Sequence, residues 1–253
     1  GHSVTLWDYR LEPLAPKGEW DVAIGMKTGP QEAAQMPHPR FVYWSDDFER
    51  TPGLLEQLLE AYNKVFTPVR PTPVGCEWLP TGWDPLIHIG YELQRVFDSL
   101  FVGTYTARKW EYLRVIAPDA IAGNDWEQLW SSSDPQPSPY PALFKPVYLH
   151  EYVDVLNQAR LLVNVHHGPV GVGRRLFEFI ACGPTITDLV PGVAEVLGNV
   201  AASVGFRTAE EGKALKEFLL ARPVLREQLW QEERQAILPY TYQAALKRIL
   251  ENV

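Results

Sequence analysis

The amino-acid sequence predicts an α/β protein, parallel sheets covered by helices. Short apolar, β-branched or aromatic runs bounded by Gly, Pro or charged residues recur along the chain, as buried strands do. A segment with leucines at helical spacing, TPGLLEQLLEAY, stands between two of these runs, the alternation that builds parallel sheets. The runs also fall into two successive β/α series joined near residues 85–96. Together these observations predict two Rossmann-like domains facing a cleft, divided as residues 1–95 and 96–253.

In the first series the expected strands are VTLW, WDVAIGM, RFVYW, NKVFTPV and VGCEWLP. Between RFVYW and NKVFTPV lies TPGLLEQLLEAY, a predicted helix with Thr51 as cap and Pro52 in its first turn. Few helices separate the first three runs, so this half reads as short or truncated. The second series opens on DSLFVGTYTARKWEYLRVI, a strand ending at Gly103-Thr104 and an amphipathic helix bearing Arg108 and Lys109. The Ser/Pro-rich stretch 131–146 reads either as a linker or as a loop bordering the substrate. A helix (HEYVDVLNQA), a strand (RLLVNVHH), the helix RRLFEFIAC, the strand PTITD and a helix at PGVAEVL follow. AASVGF reads as a strand, and Thr208 with Glu211 as a capping box opening the next helix. Two further helices, through LREQLWQEERQAI and YTYQAALKRILENV, close the chain.

Composition narrows the function. A net charge of −8 with interspersed signs disfavours general nucleic-acid affinity, which needs a basic surface against phosphates. No apolar run approaches the ~20 residues of a membrane span, and the start of the chain lacks the basic region and apolar core of a signal peptide, its Gly1-His2 reading as a cloning remnant. Cys76 and Cys182, each in an apolar context, suit buried thiols in a reducing compartment, and a cytoplasmic location is expected. Nine Trp and eleven Tyr serve either as core anchors or as stacking surfaces for sugars and bases.

The motifs fall just after strands, where ligands of open α/β sheets sit. After LLVNV come His166, His167 and the glycine turn GPVGVG, which runs into RRLFEFIAC. A glycine turn at a helix start frees backbone N–H groups for an anion, and the dipole favours negative charge there. Arg174 and Arg175 stand against that dipole, which an arriving anion would explain; a tight turn with two solvated arginines is the alternative. Gly171 and Gly173 are the turn's candidate ligand-binding positions. Glu178 shares a helical face with the arginines, so it either pairs with one of them or accepts hydrogen bonds from the vicinal hydroxyls of a ribose. Adjacent strand residues point to opposite faces, so His166 and His167 do not share a metal; no HExxH or CxxC accompanies them, and no metal is expected. His166 is read instead as a polar donor at a strand end. Gly103 and Arg108 mark a second strand–turn–helix junction, with Arg108 either on a phosphate or on a solvated helix face. Asp188 ends the strand TITD. Asp46 and Asp47, after RFVYW, are the candidate general bases, or else cap the following turn.

The run GVGRRLFEFIACGPTITDLVPGVAEVLG resembles the C-terminal signature of the CgeB-like spore-maturation glycosyltransferases, within the GT-B retaining-type group. Arg175, Phe177, Glu178, Ala181, Cys182, Gly183, Thr187, Asp188, Pro191 and Gly192 carry the match. It extends upstream through WLPTGWDP and FVGTYTARKW and downstream to Thr241-Tyr242. The resemblance implies a C-terminal domain that holds a nucleotide sugar, UDP- or GDP-linked, without a bound metal or other cofactor. It implies Glu178 on the ribose, Arg108 and Arg175 facing the phosphates, and Gly123 to Trp126 beside the base. It implies transfer to a hydroxyl acceptor on a glycan, protein or small molecule. Related enzymes carry a first glutamate eight positions before the second; here that position is Val170. A non-catalytic binder of sugar nucleotides or glycans is the alternative this departure leaves open.

Overall fold

In a computed structural model of the 253-residue chain, the described residues are 21–26, 29–36, 39–43, 53–126, 149–168 and 171–251. The expected strand VTLW, the cap Thr51 with Pro52, Asp46 and Asp47, Val170 and the stretch 131–146 lie outside them. Two compact units form: one from the described residues up to Leu79 together with those from Ala245, the other from Pro80–Ala244.

The first unit carries a four-stranded parallel sheet in sequential order, β1 (Ala23–Met26), β2 (Arg40–Tyr43), β3 (Lys64–Thr67) and β4 (Cys76–Trp78). The one-turn helix α1 (Pro30–Ala33) and α2 (Leu54–Ala61) supply the crossovers. The N-cap of α2 is Gly53, in left-handed conformation at φ +77°, and not the expected Thr51. Glycine occupies that geometry without the Cβ penalty other residues meet. Arg40 ties the unit together, its guanidinium donating to the carbonyls of Ala33, Met36 and Ala61 at the ends of α1 and α2. The core joins Phe41, Tyr43, Phe66 and Leu79 to Ile249 from the last helix.

The second unit is a five-stranded parallel sheet ordered β6-β5-β7-β8-β9, from β5 (Phe97–Val102), β6 (Ala120–Ala122), β7 (Ala159–Asn164), β8 (Thr185–Asp188) and β9 (Gly205–Phe206). Helices α3 (Ala107–Ile116), α4 (Leu149–Asn157), α5 (Arg174–Cys182), α6 (Val193–Leu197), α7 (Ala201–Val204), α8 (Ala209–Leu220) and α9 (Pro223–Ile237) connect and cover it. Leu100 and Leu162 are buried side by side, and with Leu156, Phe179 and Cys182 they fill one face of the sheet. Both thiols are free. Helix α10 (Tyr242–Leu250) starts in this unit and finishes in the other.

AASVGF is not a six-residue strand: Ala201–Val204 is a turn of helix, and only Gly205-Phe206 pairs with β8. The strand is short because it begins at the glycine. A Cβ at Gly205 would lie 2.4 Å from the Leu189 side chain and 2.5 Å from the Ala201 carbonyl. At the start of α8, Thr208 Oγ1 accepts from Glu211 N at 3.1 Å, while the Glu211 carboxylate reaches back to Arg207 N at 2.7 Å.

Candidate active site

Strand order reverses in the second unit between β5 and β7, since β6 lies to one side of β5 and β7, β8 and β9 to the other. Ligands of such sheets bind beyond the carboxyl ends of the strands at that reversal. The pairing Leu100↔Leu162 and Asn164↔Thr187 brings the ends of β5, β7 and β8 to one level, with Gly103, His166 and Asp188 at or just beyond it. Of the candidates read from the sequence, Gly103, Arg108, His166, Gly171, Gly173, Arg175, Glu178 and Asp188 all belong to this unit, on β8, α3 and α5 and in the loops after β5 and β7.

Asp188 is the centre of a buried polar cluster. Its Oδ2 accepts from Arg108 Nη2 at 2.7 Å, and its Oδ1 lies 2.6 Å from His166 Nδ1 and accepts from the His166 backbone N–H at 2.9 Å. Burial alone pushes the Asp188 carboxyl up; the charges and hydrogen bonds of His166 and Arg108 outweigh it and hold the group below the ordinary carboxylate range. Arg108 also donates to the His166 carbonyl at 2.7 Å and lies over the Tyr112 ring, so it is neither a solvated side chain nor an uncommitted cation. Asn164 Nδ2 donates to Thr187 Oγ1 at 2.9 Å beneath the cluster. Nε2 of His166 is buried and has no hydrogen-bond partner among the described residues.

Helix α5 begins at Gly173, which is extended and provides no side-chain cap for the first N–H groups, after a turn in which Gly171 has φ +111°. That leaves the positive end of the helix dipole without a side-chain acceptor. The guanidinium of Arg175 reaches the loop after β5: a Cβ at Gly103 would sit 3.3 Å from its Cζ and 2.8 Å from the Phe101 ring. Gly123 (φ +132°) packs against Gly103 still more closely, a Cβ there falling 2.2 Å from the Gly103 carbonyl oxygen. The same carbonyl accepts from Trp126 Nε1 at 2.7 Å, and Trp126 meets Phe101 and Tyr105 edge-to-face. The residues 123–126 thus fold directly over the end of β5.

Glu178 is buried on α5, where its carboxylate accepts from Tyr152 OH at 2.8 Å and lies 3.6 Å from Arg174 Nε and 3.7 Å from His88 Nε2. Burial first, and then the Glu178 charge, hold the Tyr152 phenol well above its usual value, so it donates to the carboxylate. The backbone N–H of Asp84 donates to His88 Nδ1 at 3.2 Å, which leaves Nε2 to carry the ring proton toward Glu178. Neither Tyr152 nor His88 was singled out from the sequence. Lys109, next to Arg108 on α3, is 1% exposed and donates to the Thr104 carbonyl at 2.9 Å. Burial, then repulsion from Arg175, lowers its pKa to about 7. Among the described residues no three His, Cys, Asp or Glu side chains come together as a metal site, and no helix is long and apolar enough to cross a membrane.

No curated protein matches the chain by sequence. Solved structures share its fold. T4 phage β-glucosyltransferase superimposes with a TM-score of 0.60 at 12% identity, over 92% of this chain and 80% of its own. Sucrose-phosphate synthase from Thermosynechococcus elongatus gives 0.60 at 14%, over 88% and 69%. An α-glucosyltransferase solved with UDP-glucose and DNA containing an abasic site gives 0.57 at 11%, over 88% and 74%. The fold is therefore that of the GT-B glycosyltransferases. The profile of the family described as glycosyl transferase-like matches residues 105–251, which includes Arg108, His166, the glycine turn, Glu178 and Asp188. With more than half of its length inside that match, the chain belongs to the glycosyl transferase-like family and is a glycosyltransferase.

Proposed function

We propose that the protein transfers a hexose from a UDP- or GDP-linked donor to a hydroxyl acceptor without a metal ion, as a member of the CgeB-like transferases. The observation that carries the reading is the grouping at the strand-order reversal. A helix N-terminus without a side-chain cap, the Arg175 guanidinium beside Gly103 and the buried Glu178 carboxylate belong to the loops and helix that surround it. In this reading the α5 N–H groups and Arg175 stabilise the diphosphate as charge develops on it in the transition state. Arg108 adds its positive charge while orienting Asp188. Glu178 accepts from the ribose hydroxyls, with Tyr152 and His88 holding its oxygens in place. Residues 123–126 flank the base. Asp46 or Asp47 serves as the acceptor-side base.

T4 phage β-glucosyltransferase has been solved with UDP and Mn2+, so metal independence needs its own test. Thermal-shift measurements against UDP-, GDP-, ADP- and TDP-sugars, with and without EDTA, identify the donor, because a ligand that binds the folded state raises its apparent stability. Donor turnover that survives EDTA and is lost in Glu178→Ala and Arg175→Ala supports the proposal. Binding without turnover favours a non-catalytic sugar-nucleotide binder, the reading that Val170 supports. No shift with any donor overturns the donor site. The β-glucosyltransferase fold is also that of a DNA-modifying enzyme. Binding to DNA that persists at physiological salt would reopen a nucleic-acid acceptor, against the net charge of −8.

A further inference from the structure

We infer that His166 is the residue that distinguishes a nucleoside diphosphate from a monophosphate, donating from Nε2 to the distal phosphate of the donor. The inference rests on the donor site proposed above and deepens it. Three observations carry it.

The first is an orphaned atom. Nε2 of His166 is shielded from solvent and has no partner among the described residues, whereas buried polar side-chain atoms are normally satisfied. A ligand atom is the missing partner. The second is how firmly the ring is held. Asp188 is an acceptor only, kept ionised by Arg108 and His166, so the 2.6 Å contact to Nδ1 requires a proton on that nitrogen. The backbone N–H of His166 donates to the same Oδ1 and Arg108 donates to the His166 carbonyl, which leaves the imidazole one orientation. The third is the direction of the free edge. A Cβ at Gly173 would lie 3.7 Å from Cδ2, the ring carbon bonded to Nε2. Cδ2, the neighbour of the unpartnered nitrogen in the ring, is thus the imidazole atom nearest the uncapped start of the nine-residue α5 helix.

An anion seated on that helix start meets Nε2, and with Nδ1 donating to Asp188 the ring donates to the anion from Nε2–H as an imidazolium. Asp188 balances that charge from behind, and Arg108 in turn balances Asp188. No bond is made or broken at His166: the ring binds and positions the diphosphate.

The two nitrogens can be deleted separately. Asparagine reproduces a donor near Nδ1 and lacks anything at Nε2, while glutamine extends an amide toward Nε2. The test is isothermal titration of wild type, His166→Asn and His166→Gln with the 5′-diphosphate and 5′-monophosphate of the base identified by the thermal-shift screen. The expected result is that His166→Asn weakens diphosphate binding by about 10- to 100-fold, the range of a hydrogen bond to a charged group. Monophosphate binding should change by less than about threefold, and glutamine should recover part of the loss. An equal loss for both nucleotides, or none for the diphosphate, overturns the inference while leaving the donor site standing. If wild type binds neither nucleotide, the donor site fails and the inference with it. Should His166→Asn fail to fold, the 15N shift of Nε2 in wild type decides. It should move when the diphosphate is added and stay unchanged with the monophosphate; a shift common to both, or absent from both, refutes the assignment.

Discussion

Replacing Asp188 with asparagine removes one charge from a side chain that is 2% exposed and accepts three hydrogen bonds, from Arg108 Nη2, His166 Nδ1 and His166 N. An asparagine oxygen can keep one or two of these, but its NH2 group then faces a donor, the Arg108 guanidinium or the imidazole N–H. Removing one partner of a buried ion pair costs about 3–5 kcal/mol. The Arg108 side chain is 26% exposed and regains some hydration, which puts the expected loss near the lower end, about 3 kcal/mol. For a chain of this length that is roughly 6–12 °C in Tm. The pH dependence has a definite sign. Asp188 is held below its unfolded value, so the stability it confers is fully present above about pH 4, the unfolded carboxyl range, and is lost as pH falls through the folded pKa. The gap between wild type and Asp188→Asn should therefore be flat between about pH 5 and 8 and close in acid. Thermal and urea unfolding followed by far-UV circular dichroism across that range measure it. A gap under about 1 kcal/mol at neutral pH, or one that widens in acid, would refute the assignment of Asp188 as the ionised centre of the cluster.

Three other perturbations have calculable outcomes. Gly123→Ala combines a φ of +132° with a 2.2 Å approach to the Gly103 carbonyl; it should lower stability by about 2 kcal/mol or more and displace Trp126, read as a red shift in tryptophan emission on melting-curve controls held at low temperature. Lys109→Met keeps the apolar stem and removes a base whose folded pKa is about 7. Between about pH 7 and 10.4 the unfolded lysine binds the proton the folded one lacks, so wild type should gain on the variant by up to ~1.4 kcal/mol per pH unit; parallel stability profiles would sink the claim. Glu233 is 1% exposed, accepts among the described residues only from Thr185 N at 3.2 Å, and is pushed well above the carboxylate range by burial. A raised acid loses stability as pH climbs above about 4.3, so Glu233→Gln should overtake wild type in urea unfolding at neutral pH, and a variant that instead falls behind would show the group to be ionised.

What could be read from the sequence was the part governed by local chemistry. Buried parallel strands are short apolar runs, and β2, β3, β5, β7 and β8 were each visible as one. The glycine turn before RRLFEFIAC and the run through Thr187-Asp188 were visible because turns and strand ends have their own residue preferences. The partners of those residues were not visible. Tyr152 lies 26 positions from Glu178 in the sequence, and Arg108 lies 80 from Asp188, separations that no periodicity spans. The lone His88 in WDPLIHIG carried no spacing signal, although its neighbourhood was part of the family resemblance. The burial of Lys109 was not visible either, because a lysine on an amphipathic helix carries no local mark of the tertiary contacts that enclose it. AASVGF misled because small and β-branched residues suit a helical turn as readily as a strand end, and the steric demand at Gly205 decided between them.

The chain enters and leaves the second unit side by side. Trp83 N donates to the Tyr240 carbonyl at 3.2 Å and Tyr242 N to the Trp83 carbonyl at 3.0 Å, while Gly82 lies so close that a Cβ would fall 2.5 Å from Tyr240 O. The indole of Trp83 adds a bond to the Ile237 carbonyl at 3.1 Å. This stitch makes residues 80–244 a module with its two ends already joined, as expected of a domain that tolerates excision or circular permutation. A gene fragment covering that span carries the whole sheet that bears the donor-site candidates, and the stitch between its ends travels with it.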